Sequence, residues 1–119
     1  MTGFTNPSFV ERWSRLSLAE QLGNIGSEVD RVIRWRGANK DEFATKALYR
    51  ALDLLDLTIA DPRWKGGKRR EVTRVREVLC DAFIGGNDYD TPPEYLSKYF
   101  FQFALMARKM NQKPDSREG

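Results

Sequence analysis

Seven basic side chains lie between positions 63 and 76 of this chain, accompanied by a single acidic residue. The remaining positions hold thirteen basic and sixteen acidic residues, so the net charge of +3 arises locally. Lysine and arginine neutralise phosphates without base-specific geometry, which makes nucleic-acid binding the first chemistry to consider. We call this segment the basic ridge, and its predicted nucleic-acid-binding residues are Arg63, Trp64, Lys65, Lys68, Arg69, Arg70, Arg74 and Arg76.

Two further features of the basic ridge favour an anionic ligand. Trp64 lies within it, and Trp35 lies between two arginines, so rings that stack on bases accompany cations at both places. Residues 68–70 fall in the first turn of a predicted helix, where the helix dipole disfavours cations by about 0.3–1 kcal/mol each and a bound anion would relieve the conflict. The alternative is a solvated surface whose tryptophans cover the core.

The residue types exclude several classes of enzyme. The chain has no histidine and one cysteine, Cys80, so neither a Cys/His metal cluster nor a His-activated nucleophile can form within it. The glycine pairs at 66–67 and 85–86 lack the spacing of a phosphate-binding loop and indicate turns. We therefore predict no catalytic residue, no metal and no cofactor.

A rival interpretation uses carboxylates on facing helices. Such groups can hold magnesium for phosphate chemistry, as in all-helical nucleotide pyrophosphatases, although the paired-glutamate motif of those enzymes is missing. Arginines near these positions favour an ion-pair network instead. The carboxylates are Glu28, Asp30, Asp53, Asp56, Glu77 and Asp81.

Helical periodicity and capping signals predict four long helices that position these groups. The first begins at Ser17 with a capping box and ends near Gly37, and the second begins at Asn39 or Asp41 and ends at Ala60, before Asp61 and a proline. The third spans residues 68–84. The fourth follows the start signal Thr91-Pro92-Pro93-Glu94 and runs towards Met110.

Four such helices with short links predict an all-α, up-and-down antiparallel four-helix bundle in residues 1–110, with a flexible tail at 111–119. Phe4, Phe9 and Trp13 form an N-terminal extension that covers one end of the core, as a short extra helix if it is regular. The second and fourth helices carry apolar residues on two sides, which predicts a homo-oligomer unless this extension covers them. The predicted interface residues are Leu54, Leu57, Tyr99, Phe101 and Leu105.

The chain resembles a known family through its first long helix. Leu22 and the stretch Asn24-Ile25-Gly26-Ser27-Glu28 approximate the Asn-Ile-Ala-Glu-Gly signature of the bacterial proteins encoded in 23S ribosomal RNA intervening sequences. The related accessory variability determinant of diversity-generating retroelements is similar too, and the match covers about Ser17 to Lys109. This resemblance implies a ring-like homo-oligomer with a positively charged nucleic-acid-binding surface and no catalytic residues.

Together these observations predict a cytoplasmic, non-catalytic, oligomeric helical bundle. Its partner is RNA or DNA, or a nucleoprotein, bound through the basic ridge. The alternatives are a protein-protein adaptor that uses the aromatic face of the fourth helix, and a magnesium-dependent nucleotide pyrophosphatase. No apolar run is long enough for a membrane-spanning helix, so no membrane partner is predicted.

Overall fold

The computed structural model describes residues 6–112, and this part of the chain forms five α-helices and no strand. The helices are α1 (Pro7–Ser14), α2 (Leu18–Gly37), α3 (Asp41–Ala60), α4 (Gly67–Phe83) and α5 (Pro93–Gln112). The all-α class is confirmed, whereas the prediction of four helices is wrong by one. None of the described helices is long and apolar enough to cross a bilayer.

The capping signal predicted for α2 is confirmed, whereas the cap predicted for α3 at Asn39 or Asp41 is wrong, because its N-cap residue is Lys40 and makes no side-chain cap hydrogen bond. The Ser17 side chain accepts from the backbone N–H of Glu20, and the Glu20 carboxylate accepts from the backbone N–H of Ser17, so the predicted capping box is present. The last helix extends to Gln112, two residues past the predicted end of the bundle at residue 110. The rest of the predicted tail, from residue 113, and Phe4 lie outside the described residues.

The additional helix, α1, lies in the N-terminal extension for which a short extra helix was considered. Asn6 caps it by accepting from the backbone N–H groups of Ser8 and Phe9. Trp13 is buried, and its indole N–H donates to the Thr58 hydroxyl of α3 over 3.2 Å. The predicted covering of the core by N-terminal aromatics is therefore present for one end of α3.

The most extensively packed helix is α2, which lies against both α3 and α5. Its neighbours run antiparallel to it. Trp35 meets Phe43 beside the α2–α3 turn while Gln21 meets Asp61 at the far end, and Asp30 and Glu20 meet Ser97 and Asn111 of α5. Each helix contributes to one core through buried residues three or four positions apart, for α2 Leu22, Ile25, Val29 and Val32.

Two glycines let α5 approach α2 closely. A Cβ atom at Gly26 would lie 2.5 Å from the Phe100 Cβ, and one at Gly23 would lie 3.0 Å from the Ala104 Cα. Phe100 is fully buried at this contact. The absence of a side chain at Gly26 therefore creates the space into which Phe100 packs.

Substituting Gly26 by alanine should destabilise the protein despite alanine's better helix propensity. Overpacking of a filled core costs about 1–3 kcal/mol, which exceeds the gain of about 1 kcal/mol from replacing a helical glycine. The matched control is Gly37→Ala, where nothing lies within 4 Å of the added Cβ. Urea unfolding should show a lower midpoint for the first variant only, and equal midpoints would contradict the packing role of Gly26.

Candidate nucleic-acid interface

The beginning of the basic ridge is built into a buried polar cluster centred on Asp61. This residue is 6% exposed, and its carboxylate accepts from the Nε and Nη2 atoms of Arg63 at 3.0 and 2.7 Å. Arg63 Nη2 also donates to the carbonyl of Leu16, in the link between α1 and α2, over 2.7 Å. Arg63 therefore joins the α1–α2 connection to the α3–α4 connection, and its guanidinium has a structural role.

The hydrogen bonds from the Arg63 guanidinium lower the pKa of the Asp61 carboxyl below its ordinary value of 3.8, against the opposing effect of burial. The same pairing raises the pKa of Arg63. A carboxylate with two guanidinium bonds is stabilised in its charged form, so the pair persists at neutral pH.

Trp64 lies in the interior beside this cluster and is only 9% exposed. Its indole N–H donates to Gln21 Oε1 over 2.9 Å, and Gln21 is itself fully buried. The cations of Arg63 and Lys68 lie 4.3 and 5.5 Å from its ring centroid. The prediction that Trp64 stacks on bases is corrected: its ring is covered by the chain's own residues.

Arg69 and Arg76 are also engaged within the chain. Arg69 Nη2 donates to the backbone carbonyl of Asp61 over 3.1 Å, which ties the start of α4 to the end of α3. Arg76 Nε lies 2.8 Å from the Asp56 carboxylate of α3, and its Nη1 is 3.7 Å from Cys80 Sγ. Both arginines hold α4 against α3. Arg76 is paired with a carboxylate, whereas Arg69 is bound to a neutral carbonyl and keeps its positive charge.

Four of the predicted cations remain, which we call the basic face: Lys65, Lys68, Arg70 and Arg74. All four are exposed, and within residues 6–112 none of them forms an ion pair. Arg70 and Arg74 are four residues apart and so lie on one side of α4. Glu71 is the single acidic residue of the basic ridge, and its Oε2 accepts a hydrogen bond from the Tyr99 hydroxyl of α5 over 2.6 Å.

A groove of about 890 Å³ runs along this side of α4. Arg69, Arg70 and Arg74 line it from the helix. Tyr89 and Thr91 line it from the connection between α4 and α5. Residues 87–90, Asn-Asp-Tyr-Asp, have a composition typical of a turn, and the one signal for Tyr89 in the sequence is an aromatic residue among polar turn residues, where packing into a core is not expected.

The second predicted aromatic, Trp35, lies elsewhere. It contacts Phe43 with ring centroids 5.2 Å apart at the α2–α3 turn. The neighbouring Arg36 donates to the carbonyl of Phe83, at the end of α4 opposite to the buried Trp64. The structure therefore does not bring Trp35 together with the basic face.

The carboxylates considered for magnesium are dispersed. Within the described residues, no three Asp, Glu, Cys or His side chains converge as a metal site would require. Glu28 pairs with Arg31 and Arg50, and Asp56 pairs with Arg76. Asp81 accepts from two backbone N–H groups of the α4–α5 connection. These contacts match the predicted ion-pair interpretation for Glu28 and Asp56.

The five predicted interface residues do not form one surface. Leu54 is corrected to a core residue, buried beneath the Trp13 end of α1, and Leu57 is partly buried. Tyr99 is half-buried against α4, and burial first, then Glu71, raises the pKa of its hydroxyl. Phe101 and Leu105 are exposed one turn apart on α5, on the opposite side of the helix from Tyr99.

Comparison of the chain with protein-family models, curated proteins and solved structures finds no match. The resemblance to the intervening-sequence proteins therefore stays a prediction, and the site is interpreted from its own geometry.

Replacing Asp61 by asparagine should lower the free energy of unfolding at pH 7 by about 1–3 kcal/mol, because Arg63 loses its charged acceptor. The folded-state pKa of Asp61 is depressed, so this contribution is complete above the unfolded value and is lost as pH falls through the folded value. Denaturant unfolding should therefore show a wild-type advantage above about pH 5 that shrinks below pH 4.

The matched control is Asp88→Asn, since the exposed Asp88 carboxylate accepts no hydrogen bond within the described residues. That variant should track the wild type at every pH. An advantage of the wild type over Asp61→Asn that is constant from pH 7 to pH 3 would contradict the buried ion pair.

Proposed function

We propose that this protein binds nucleic acid through the basic face and the groove beside it, without catalysing a reaction. The observation that carries the proposal is the free charge of Lys65, Lys68, Arg70 and Arg74, which remains after the other ridge cations are used within the fold. Exposed cations without carboxylate partners can neutralise phosphates at no cost in broken ion pairs.

The arrangement of α4 supports contact with a polyanion rather than a small acid. Arg70 and Arg74 are one helical turn apart, and the connection before α4 adds Lys65. A chain of phosphates can contact several of these groups at once, whereas a single carboxylate can contact one or two. In this proposal α2 to α5 form an up-and-down bundle that acts in the cytoplasm, as predicted from the sequence.

Titration of a fluorescent single strand of RNA or DNA at several salt concentrations tests this function. With four phosphate contacts, the logarithm of the association constant should fall by about 3 for each tenfold rise in salt, since each contact contributes about 0.7. Combined Lys68→Ser, Arg70→Ser and Arg74→Ser changes should reduce that slope by about 2.

The control removes the same charge from another surface by changing exposed Lys40, Lys46 and Lys98 to serine. Its affinity should fall only slightly. The slope of its salt dependence should differ from that of the wild type by no more than about 0.7, the contribution of one phosphate contact. Equal losses in both triple variants would show that net charge, and not the basic face, drives binding. Absence of binding at low salt would rule out the proposed function.

A second candidate is self-association or protein binding through α5. Phe101 is 54% exposed, and Leu105, Met106 and Met110 are exposed beyond it. Contiguous patches of exposed apolar side chains mark interaction surfaces, whereas single exposed apolar residues are common on any protein. Phe101 with Leu105 and Met106 with Met110 form two apolar edges of the helix, each spaced by one turn.

Sedimentation at micromolar concentration tests this association. We expect the wild type to sediment as an oligomer and Phe101→Ser with Leu105→Ser to shift towards the monomer, because burial of each large apolar side chain contributes about 1.5–3 kcal/mol. The control is Tyr49→Ser, which changes an exposed aromatic residue on α3. A monomeric wild type would contradict self-association and leave the adaptor function to be tested with other proteins.

A further inference from the structure

The groove beside the basic face is bordered by an exposed tyrosine. Tyr89 is 62% exposed and lies in the α4–α5 connection, where it lines the groove together with Arg70 and Arg74. A tyrosine ring gains most of its stabilisation from buried area, so a ring this exposed contributes little to the core. Its free π-face and the two guanidinium groups are available to the same ligand.

The backbone that carries Tyr89 is held in place. Asp81 Oδ1 accepts from the backbone N–H of Asp88 over 2.7 Å, and Asp81 Oδ2 accepts from that of Tyr89 over 3.0 Å. Asn87 Oδ1 accepts from the N–H of Thr91 over 3.1 Å, which closes the other side of the turn. A ring on a fixed backbone loses less conformational freedom on binding than one on a free loop.

We infer that this groove is a subsite for single-stranded nucleic acid, in which an unpaired base stacks on the Tyr89 ring and the flanking phosphates pair with Arg70 and Arg74. The inference rests on the proposed function and goes beyond it by naming the strand state of the ligand. RNA and DNA share the required chemistry, an exposed base between phosphates, and the test separates them.

The exposed Tyr89 ring favours a single strand over a duplex. Bases inside a duplex have their faces covered by neighbouring bases, so only an unstacked base can lie on Tyr89. The groove volume of about 890 Å³ is within the range of small-ligand pockets, about 300–1,000 Å³, and gives room for one base and its neighbouring phosphates. Glu77 lines the groove beyond Arg74 and repels further phosphates, which limits the strand to a short contact.

The experiment measures fluorescence anisotropy with four probes of equal length: oligo-uridine RNA, oligo-thymidine DNA, a DNA duplex and a DNA strand of abasic sites. Tyr89→Ala should bind the two single strands with bases about tenfold more weakly than the wild type, in line with stacking of one base. It should bind the duplex and the abasic strand as the wild type does. The ratio of the affinities for the RNA and DNA strands shows which of the two nucleic acids the protein prefers.

Matched variants separate stacking from loss of structure. Tyr89→Phe keeps the π-face and should retain the wild-type affinity, and Tyr49→Ala removes an equally accessible tyrosine, 57% exposed on α3, and should have no effect. As a measurement on the unaltered chain, ultraviolet crosslinking of a 5-bromouridine strand should place a crosslink on Tyr89 by mass spectrometry.

Two results would overturn the inference and leave nucleic-acid binding by the basic face intact. One is a Tyr89→Ala variant that binds single strands as the wild type does or loses equal affinity for the abasic strand. The other is a set of crosslinks that never includes Tyr89. Binding to none of the four probes would overturn the inference together with the proposed function.

Discussion

A buried carboxylate at the end of α3 anchors the connection that leads into α4, the helix that carries most of the basic ridge. Asp61 holds Arg63 through paired hydrogen bonds, and its backbone carbonyl accepts from Arg69. A buried charge is costly unless it is paired and fully hydrogen-bonded, so the fold must supply these partners. The same cluster joins α1, α2 and the α3–α4 connection through Gln21, whose amide donates to the carbonyl of Trp13 and accepts from Trp64.

This cluster divides the basic ridge into an internal and an external part. Arg63, Arg69 and Arg76 attach α4 to its neighbours, whereas Arg70 and Arg74 lie on the outer side of the same helix. The division follows from helical geometry, because residues on the side of α4 that faces α3 find carboxylates and carbonyls there. A ligand therefore meets a face of fixed shape, since the cations behind it anchor the helix that carries it.

The close contact between α2 and α5 places the remaining elements. Gly26 admits Phe100 to the core, which brings α5 against α2 and leaves α4 to pack mainly on α3. The α4–α5 connection must then cross the end of α4, and Asp81 holds its backbone there. Tyr89 owes its position beside Arg70 and Arg74 to this sequence of contacts, although it is fifteen residues from Arg74 along the chain.

The all-α class, the positions of the four long helices and the local excess of positive charge can be predicted from the sequence, because periodicity, caps and composition are local properties. The sequence also contained the alternatives that the structure separates, such as an exposed or a covered Trp64. Three properties follow from the packing of the helices: which cations are free of ion pairs, the interior positions of Leu54 and Trp64, and the position of Tyr89 in the groove beside the basic face. These properties depend on contacts between residues distant in the chain, such as Gln21 with Trp64 and with Asp61, and no local pattern encodes which partner a side chain meets.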